Sequence, residues 1–482
     1  MTQEQFYAWL REGIGRRVAL VEVDTDAPRL LSTVPYVTSP GDSPANTAYL
    51  AVVAQGFAFS EALAMDGSPS ISVGDIAIHN EDGLLDTWLG DVWTNRAVRV
   101  YIGDVSWPRA DFQLVFAGLV AELTASSAGR LNIVLRSALE RLNSPVTDAL
   151  LGGDSQNADR LLPITLGECH NVSPLLTNAA QHEYQYHQGA AERLIEVRDN
   201  GVPVAVTSML LNGKFRLTST PAGQITASVQ GGFPYTATVA GIVQLLATQY
   251  GTPEQRLSPA DLDADQLAAF DAAHPQPVGV YLSDRANVLQ ICQALAASVG
   301  AQVVTSSLGQ LRIVKVALPG VGAPVVIGPE DYVLGSLKMR ERPQVVAGVK
   351  LGYCRSWTVQ SGLDTGIPPE HKDLYAQEWL TVTARDEAVA TAYKLYADIP
   401  QQDTHLLRET DAQAEANRRL ALWSVQRTVY QVDCFAHMLG LELGQAVTLT
   451  ANRWGLDAGK AGVIVGLQRD WIKGRVTVEV LT

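Results

Sequence analysis

The residues best equipped for chemistry lie in the run His182-Glu-Tyr-Gln-Tyr-His187, with Cys169 and His170 a little upstream. The run approaches the metalloprotease pattern of two histidines four apart around a glutamate, but it is one residue too long. On a helix, positions five apart diverge by about 140°, so the two imidazoles could not meet one zinc ion. Cys169, His170, His182 and His187 would together supply thiolate and imidazole ligands, yet their spacing is half of a zinc-finger pattern without its first cysteine pair. These types in this order therefore read as polar loop and surface residues, and no metal is expected.

Three further motifs fall short in the same way. Gly455-Leu-Asp-Ala-Gly459-Lys460 resembles a phosphate-binding loop, with three residues between its glycines instead of four and Ala461 where a Ser or Thr would hold magnesium. It reads as a hairpin turn between two strands. Asp261, Asp263 and Asp265 mimic the start of a calcium loop, but Gln266 stands at the required glycine and Ala272 at the final glutamate. Acidic residues so placed suit a helix N-terminus. No nucleophile elbow and no dinucleotide fingerprint is present. Paired glycosidase carboxylates are separated in space and not in sequence, so that chemistry stays open. No catalytic residue, cofactor or metal is expected.

The elements that would carry any site must come from 482 residues, about three domains' worth. Hydrophobic residues make up 47% and charged residues 18%, which excludes wholesale disorder. Nothing approaches the roughly 18 consecutive apolar residues of a membrane span, and the start MTQEQFYAWLREG lacks a secretory pattern. A net charge of −14 argues against broad adhesion to phosphate backbones or anionic membranes, and is compatible with a wall that repels passing nucleic acid. Cys169, Cys292, Cys354 and Cys434 lie far apart with no C-x-x-C pair, and read as reduced, mostly buried thiols of a protein folded in a cytoplasm.

Periodicity then assigns elements. Thr2 with Gln5 forms a capping box for a first helix whose Phe6 and Leu10 share a face, with Gly13 and Gly15 ending it. Val18–Asp24 reads as a strand and 33–44 as a proline-punctuated loop. From Ala48 to Ser137 short runs alternate with Gly and Asp turns: Ile71 and Val73, Ile76 and Ile78, then Arg99–Ile102, Gln113–Phe116 and Leu131–Leu135. Such spacing suggests an antiparallel barrel or sandwich. Leu150–Asn157 is a loop and a plausible boundary. A β-rich stretch, Glu192–Val229, follows with turns at Asp199-Asn200-Gly201 and Asn212-Gly213. Helical period appears at Thr238–Tyr250 and Ala286–Val299, then a hairpin turns at Gly309. Thr410–Gln426 reads as a helix, and Tyr430, Val432 and Cys434 alternate as a strand. The end is β again, at Ala446–Thr450, Gly462–Leu467 and Arg475–Leu481, with Val476, Val478 and Val480 on one face.

Several stretches together resemble the tail hub (tail-tip or baseplate-hub) proteins of tailed bacteriophages. The first runs from Asp66 through Asn80 and continues Glu81-Asp-Gly-Leu-Leu-Asp86, followed by Trp88, Trp93, Arg96–Gly103 and Asp111-Phe-Gln-Leu-Val-Phe-Ala-Gly118. The middle, Val288–Val316, is similar to that family's helix and hairpin. The most specific stretches are Leu441–Thr450, Gly455–Lys460 and Val465–Arg475, which resemble the closing barrel strands. Each motif is structural, and their order over most of the chain carries the likeness.

The resemblance implies an α+β, β-dominated fold with two barrel-like β domains at the N- and C-terminal ends and a mixed α/β module and a β-rich insertion between them. The expected divisions are 1–150, 151–232, 233–330 and 331–482. It implies a homotrimer whose two barrels per subunit make a pseudo-sixfold ring, joining the tail tube or a distal tail protein to a central fibre, tip or tape-measure protein. DNA would pass through the lumen without specific binding. The expected place is the virion's tail tip or baseplate, after synthesis in the host cytoplasm, with no stable membrane insertion. A cyclic ring closes without open-ended growth. Trp88, Trp93, Trp107, Trp454 and Trp471 fall in turns, where they suit either interface anchors or lids over the nearest core. The longest members of the family carry fibre or lysozyme-like extensions that have no counterpart before Thr482, so receptor binding or wall hydrolysis is expected of another protein. Three rivals stand beside this non-enzymatic reading. One is a tail-tip hydrolase or protease using Cys169, His182 and Glu183, one a carbohydrate-binding adhesin, and one a tail tube or distal ring protein. The length and the two β-rich ends favour the hub.

Overall fold

A computed structural model of the chain describes residues 1–12, 15–65, 74–361, 363 and 365–482. Gly13, the run Asp66–Val73 of the first motif and the expected strand residues Ile71 and Val73 lie outside the described residues. Two compact units emerge: Met1–Glu140 with Val304–Gln344 and Gln426–Thr482, and Arg141–Val303 with Val345–Val425. The class is β-dominated α+β, as expected. No described helix is long and apolar enough to cross a membrane.

In the first unit the capping box forms as the sequence requires. The Thr2 amide donates to Gln5 Oε1 at 2.9 Å and the Gln5 amide to Thr2 Oγ1 at 3.3 Å, opening helix Gln3–Glu12. The face carrying Phe6 and Leu10 is buried. Arg17–Val23 then pairs in full antiparallel register with Ala97–Asp104. Around that pair an eight-stranded sheet grows among the described residues, ordered Tyr36–Val37, Ala48–Ala51, Arg29–Ser32, Arg17–Val23, Ala97–Asp104, Gln113–Ser127, Arg130–Arg136 and Asp75–His79. All its neighbours are antiparallel except Arg29–Ser32 beside Ala48–Ala51. Ile76 and Ile78, then Val98, Val100 and Ile102, point alternately inward and are fully buried, which fixes the register.

The second sheet of this unit is built from the chain's other end. Its order is Val325–Ile327, Ala446–Leu449, Lys460–Asp470, Arg475–Leu481, Val429–Phe435 and Lys338–Glu341. Val476, Val478 and Val480 are fully buried on one face, as their period predicts. Phe59–Ala62, from the N-terminal stretch, pairs antiparallel with Lys460–Asp470, matching Phe59 to Arg469 and Ala62 to Gly466. One core cluster accordingly takes residues from both sheets, including Val100 and Ile133 from one and Val432 and Val478 from the other.

Among the described residues no sheet closes into a barrel, so the barrel-like ends are open sheets. Closure of the first is begun by one bridge, Val53 to Ile78, with the His79 amide donating to Val52 O and the Ala54 amide to Ala77 O. Beyond that bridge, the seam is made by the shared core and not by further ladder bonds.

The second unit is mixed. A five-stranded sheet runs Val202–Pro203, Arg193–Asp199, Ile225–Gly231, Ile164–Val172 and Gly279–Leu282, with smaller sheets of four and three strands. Helices Val239–Gln249 and Val288–Ser298 occupy the expected positions, capped by Thr238 and Asn287. Asp263 caps helix Ala264–Ala273 by accepting from the Gln266 amide at 3.2 Å, so the acidic triplet sits at a helix N-terminus. Asn200 and Gly201 both take positive φ, +49° and +86°, as a tight hairpin turn demands.

The Phe59–Phe116 stack, 4.0 Å between centroids and 10° from parallel, lies where the two sheets share the core. Phe59→Ala is expected to lower unfolding stability by about 3–5 kcal/mol, read from urea denaturation. A wild-type midpoint in that variant would mean that this strand does not tie the two sheets.

Candidate functional site

The histidine-bearing run is a strand and not a helix. Glu183–Gln185 pairs with Lys214–Leu217, and His182 precedes it in the left-handed region at φ +48°. Glu183 is held by Lys214 Nζ at 3.1 Å and by Arg216 Nη2 at 2.8 Å, with Thr177 donating at 3.0 Å. Burial pushes its carboxyl upward, but the hydrogen bonds from Arg216, Lys214 and Thr177 outweigh it and hold the group below its ordinary value. Such a carboxylate is an ion-pair anchor and a poor general acid.

His187 is buried, and its Nδ1 accepts from the Thr165 amide at 3.1 Å. Burial drives it down to about 4. Cys169 is fully buried and donates only to Leu166 O at 3.8 Å, with burial first and the charge of Glu168 second in pushing the thiol up. A thiolate nucleophile needs the opposite environment. His170 meets Glu168 instead, at 3.2 Å, and Gln230 Nε2 completes that carboxylate at 2.8 Å. Among the described residues no group of three or more His, Cys, Asp or Glu side chains could hold a metal ion. Cys169 and Glu183 thus stand in environments that disfavour a thiolate nucleophile and a general acid.

Gly455-Leu-Asp-Ala-Gly459-Lys460 is the connection between strands Ala446–Leu449 and Lys460–Asp470. It is closed by bonds from the Leu456 amide to Arg453 O and from the Gly459 amide to Leu456 O. No phosphate cradle forms.

The five tryptophans separate into two kinds. Trp88, Trp93 and Trp471 are buried members of the first unit's core, and Trp107 is half-buried with its ring 4.5 Å from that of Trp9. Trp454 stays 50% exposed, at φ +58° in a region costly for a bulky side chain. Its ring stacks on Tyr430 at 5.9 Å and 17°.

What the aromatic pattern missed lies beside these rings. Trp88 and Trp93 pin the loop between Asn80 and Trp93 through Trp93 Nε1 donating to Trp88 O at 2.8 Å, and Asn80 Oδ1 accepts from the Leu85 amide at 2.9 Å. That fixed loop turns Leu84, Leu89 and Val92 outward, Leu84 being 75% exposed. Near Trp454, Met339 stands opposite Tyr430 in the register of strand Lys338–Glu341 and is also exposed. A hydropathy pattern assigns leucines to the core, so their exposure was not legible without the loop's hydrogen bonds.

Comparison with solved structures finds likenesses over most of the chain. A tail protein from Neisseria meningitidis MC58 is 9% identical with a TM-score of 0.43, covering 97% of each chain. The 43 kDa tail protein of prophage MuSo2 from Shewanella oneidensis is 8% identical with a TM-score of 0.40, covering 96% of this chain and 98% of that one. A chain in the virion of a native gene transfer agent particle is 14% identical with a TM-score of 0.42, covering 71% and 91%. No protein-family model matches the chain and no curated protein matches it in sequence.

Two outcomes follow. Because the folded pKa of His187 lies below the unfolded value near 6.5, the unfolded chain binds the extra proton first as pH falls. Its contribution is complete above about pH 6.5 and is lost toward pH 4, with a ceiling of about 3 kcal/mol. His187→Asn should flatten the fall in urea midpoint over that window, and an unchanged slope would count against it. The four cysteines are all free, with every thiol pushed up by burial. Titration with a disulfide reagent at pH 8 should find them slow in the native chain and fast in urea; rapid labelling of Cys169 in the native chain would restore the nucleophile reading.

Proposed function

We propose that the chain is a structural hub protein at the distal end of a phage tail or tail-derived machine, working by assembly and not by turnover. The observation that carries the reading is the joining of the chain's two β-rich ends: Phe59–Ala62 completes the C-terminal sheet, and both sheets fill one core. A subunit with two such sheets suits the two ring-forming domains that the sequence resemblance implies. In this reading the ring-forming sheets come from 1–150 and from those parts of 331–482 that lie in the first unit, while 151–232 and 233–330 are the insertion and the α/β module.

Three copies would then place six sheet domains around a lumen, matching a sixfold tail tube on one face and a threefold tip on the other. A cyclic arrangement uses every contact surface and stops growth. The net charge of −14 disfavours sticking to DNA in transit. Neighbours would be the tail tube or a distal tail protein above and a fibre, tip or tape-measure protein below, all within the virion.

Negative-stain electron microscopy of the purified chain, classified by symmetry, tests this. Threefold rings with a central hole wide enough for a DNA duplex are expected. Monomers that turn over peptidoglycan or peptide would overturn the hub in favour of a hydrolase.

A further inference from the structure

The five-stranded sheet of the second unit has two unlike faces. Cys169, Val197, Ala227 and Val229 fill an apolar core on one side. The alternate residues on the other side are polar, yet Arg198, Thr226 and Ser228 are buried as well, and so is Asn171 at the bulge of strand Ile164–Val172. What covers them is the connection between strands Gly348–Tyr353 and Leu380–Arg385, which pair in register up to Tyr353 opposite Leu380. The roots of that connection are pinned. The Ser356 amide donates to Glu378 O at 2.9 Å, the Trp357 amide to His170 O at 3.1 Å and Asn171 Nδ2 to Ser356 Oγ at 3.1 Å. Arg355 pairs with Glu378 at 2.7 Å and lies 4.0 Å from the centre of the Trp357 ring.

Beyond its roots the cover is bonded to itself. The Gln360 amide donates to Tyr375 O at 2.9 Å and Lys372 Nζ to Thr365 O at 3.1 Å, which ties residues 358–360 to the helix Pro369–Ala376 and its lead-in. Two kinds of group meet the sheet. Ile367 and Tyr375 are buried, the first close over Gly201 and the second with its ring centre 4.8 Å from the Arg198 guanidinium, and their burial favours closure. Polar atoms oppose it. Gln360 Nε2 reaches Thr226 Oγ1 at a long 3.3 Å, while Gln360 Oε1, Thr358 Oγ1 and Arg198 Nε are buried with no partner among the described residues. A buried donor or acceptor left so carries its full desolvation cost, and that cost is relieved when water reaches it. We propose that the cover is a latch balanced between these two effects. Residues 358–360 and 367–377 swing off the sheet on the pinned roots and uncover Arg198, Thr226 and Ser228, while the sheet and the core on its other face stay folded. Segments held by few apolar contacts are the ones that open locally. The latch does not depend on ring formation.

Thiol labelling of the full chain tests the latch, because Cys169 is a native reporter on the core face of the same sheet. Ser228→Cys places a second thiol on the covered face. Both are followed with iodoacetamide at about pH 8, by mass spectrometry of the labelled peptides. In the native chain the introduced thiol should react at least about tenfold faster than Cys169, yet well below its own rate in urea. Tyr375→Ala removes an apolar hold and should speed that reaction about tenfold, whereas Thr358→Val puts a methyl in place of an unpartnered hydroxyl and should slow it by a similar factor. The rate at Cys169 should stay the same in both. Circular dichroism checks the fold of each variant, and Thr226→Cys supplies a second position on the covered face where Ser228→Cys does not fold. An introduced thiol as slow as Cys169 means that the face opens only with the whole sheet, which overturns the latch. A thiol as fast as in urea means that nothing closes over the face, and overturns it equally. Rates that rise together at both thiols in Tyr375→Ala, or that ignore both Tyr375→Ala and Thr358→Val, would also overturn it.

Discussion

Arg469 lies buried in the C-terminal sheet and spends its guanidinium on three partners. Its Nε donates to Leu439 O at 3.1 Å, its Nη2 to Leu441 O at 2.5 Å and its Nη1 to Glu61 Oε1 at 3.0 Å. The last partner belongs to Phe59–Ala62, the N-terminal strand that completes this sheet. A buried charge is tolerated only when its donors are satisfied, so the arginine is stable only with the strand in place. Backbone ladder, ion pair and the Phe59–Phe116 stack thus act at one seam, and the two sheets lose their common core if it opens. Everything proposed about ring formation presupposes this seam, because it makes two remote chain segments into one subunit face.

Much of the fold was legible because periodicity is a local signal. Alternation at Val476, Val478 and Val480 and the capping pair Thr2 and Gln5 correspond directly to buried faces and real hydrogen bonds. Other elements carried weaker signals. Helix Glu387–Tyr393 is only seven residues long, too short for a face to repeat, and it depends on Asp386 accepting from the Ala388 and Val389 amides. Strand Phe59–Ala62 is four residues whose partner lies some four hundred positions away, and no pattern within it announces that partner. Sheet closure belongs to the same class. Short strands and turns suggested barrels, but whether edges meet is decided by long-range pairing.

The candidate chemistry shows the reverse difficulty. His182, Glu183, His187 and Cys169 were eye-catching as residue types, and spacing alone already argued against a shared metal. Their setting adds the physical cause: Glu183 opens a three-residue strand, His182 precedes it in a turn and His187 follows it outside the ladder, so the run is divided between environments. Glu183 goes to Lys214 and Arg216, and His187 into a dry contact with Thr165. Residue types that could react are used here for ion pairing and packing.

Tryptophan tells the same lesson in a different form. The indoles in turns were legible as anchors, yet anchoring has two directions. Trp88 and Trp93 face inward and hold a loop, and what they offer outward is the leucines and valine that the loop carries. Trp454 faces outward itself, and its backbone sits in a strained region that the stack on Tyr430 and the turn bond from the Ala451 amide to Leu456 O must hold. In both cases a buried aromatic, Trp93 or Tyr430, fixes an exposed apolar group at a set position. Rigid presentation of this kind lowers the entropic cost of association without enlarging the surface buried.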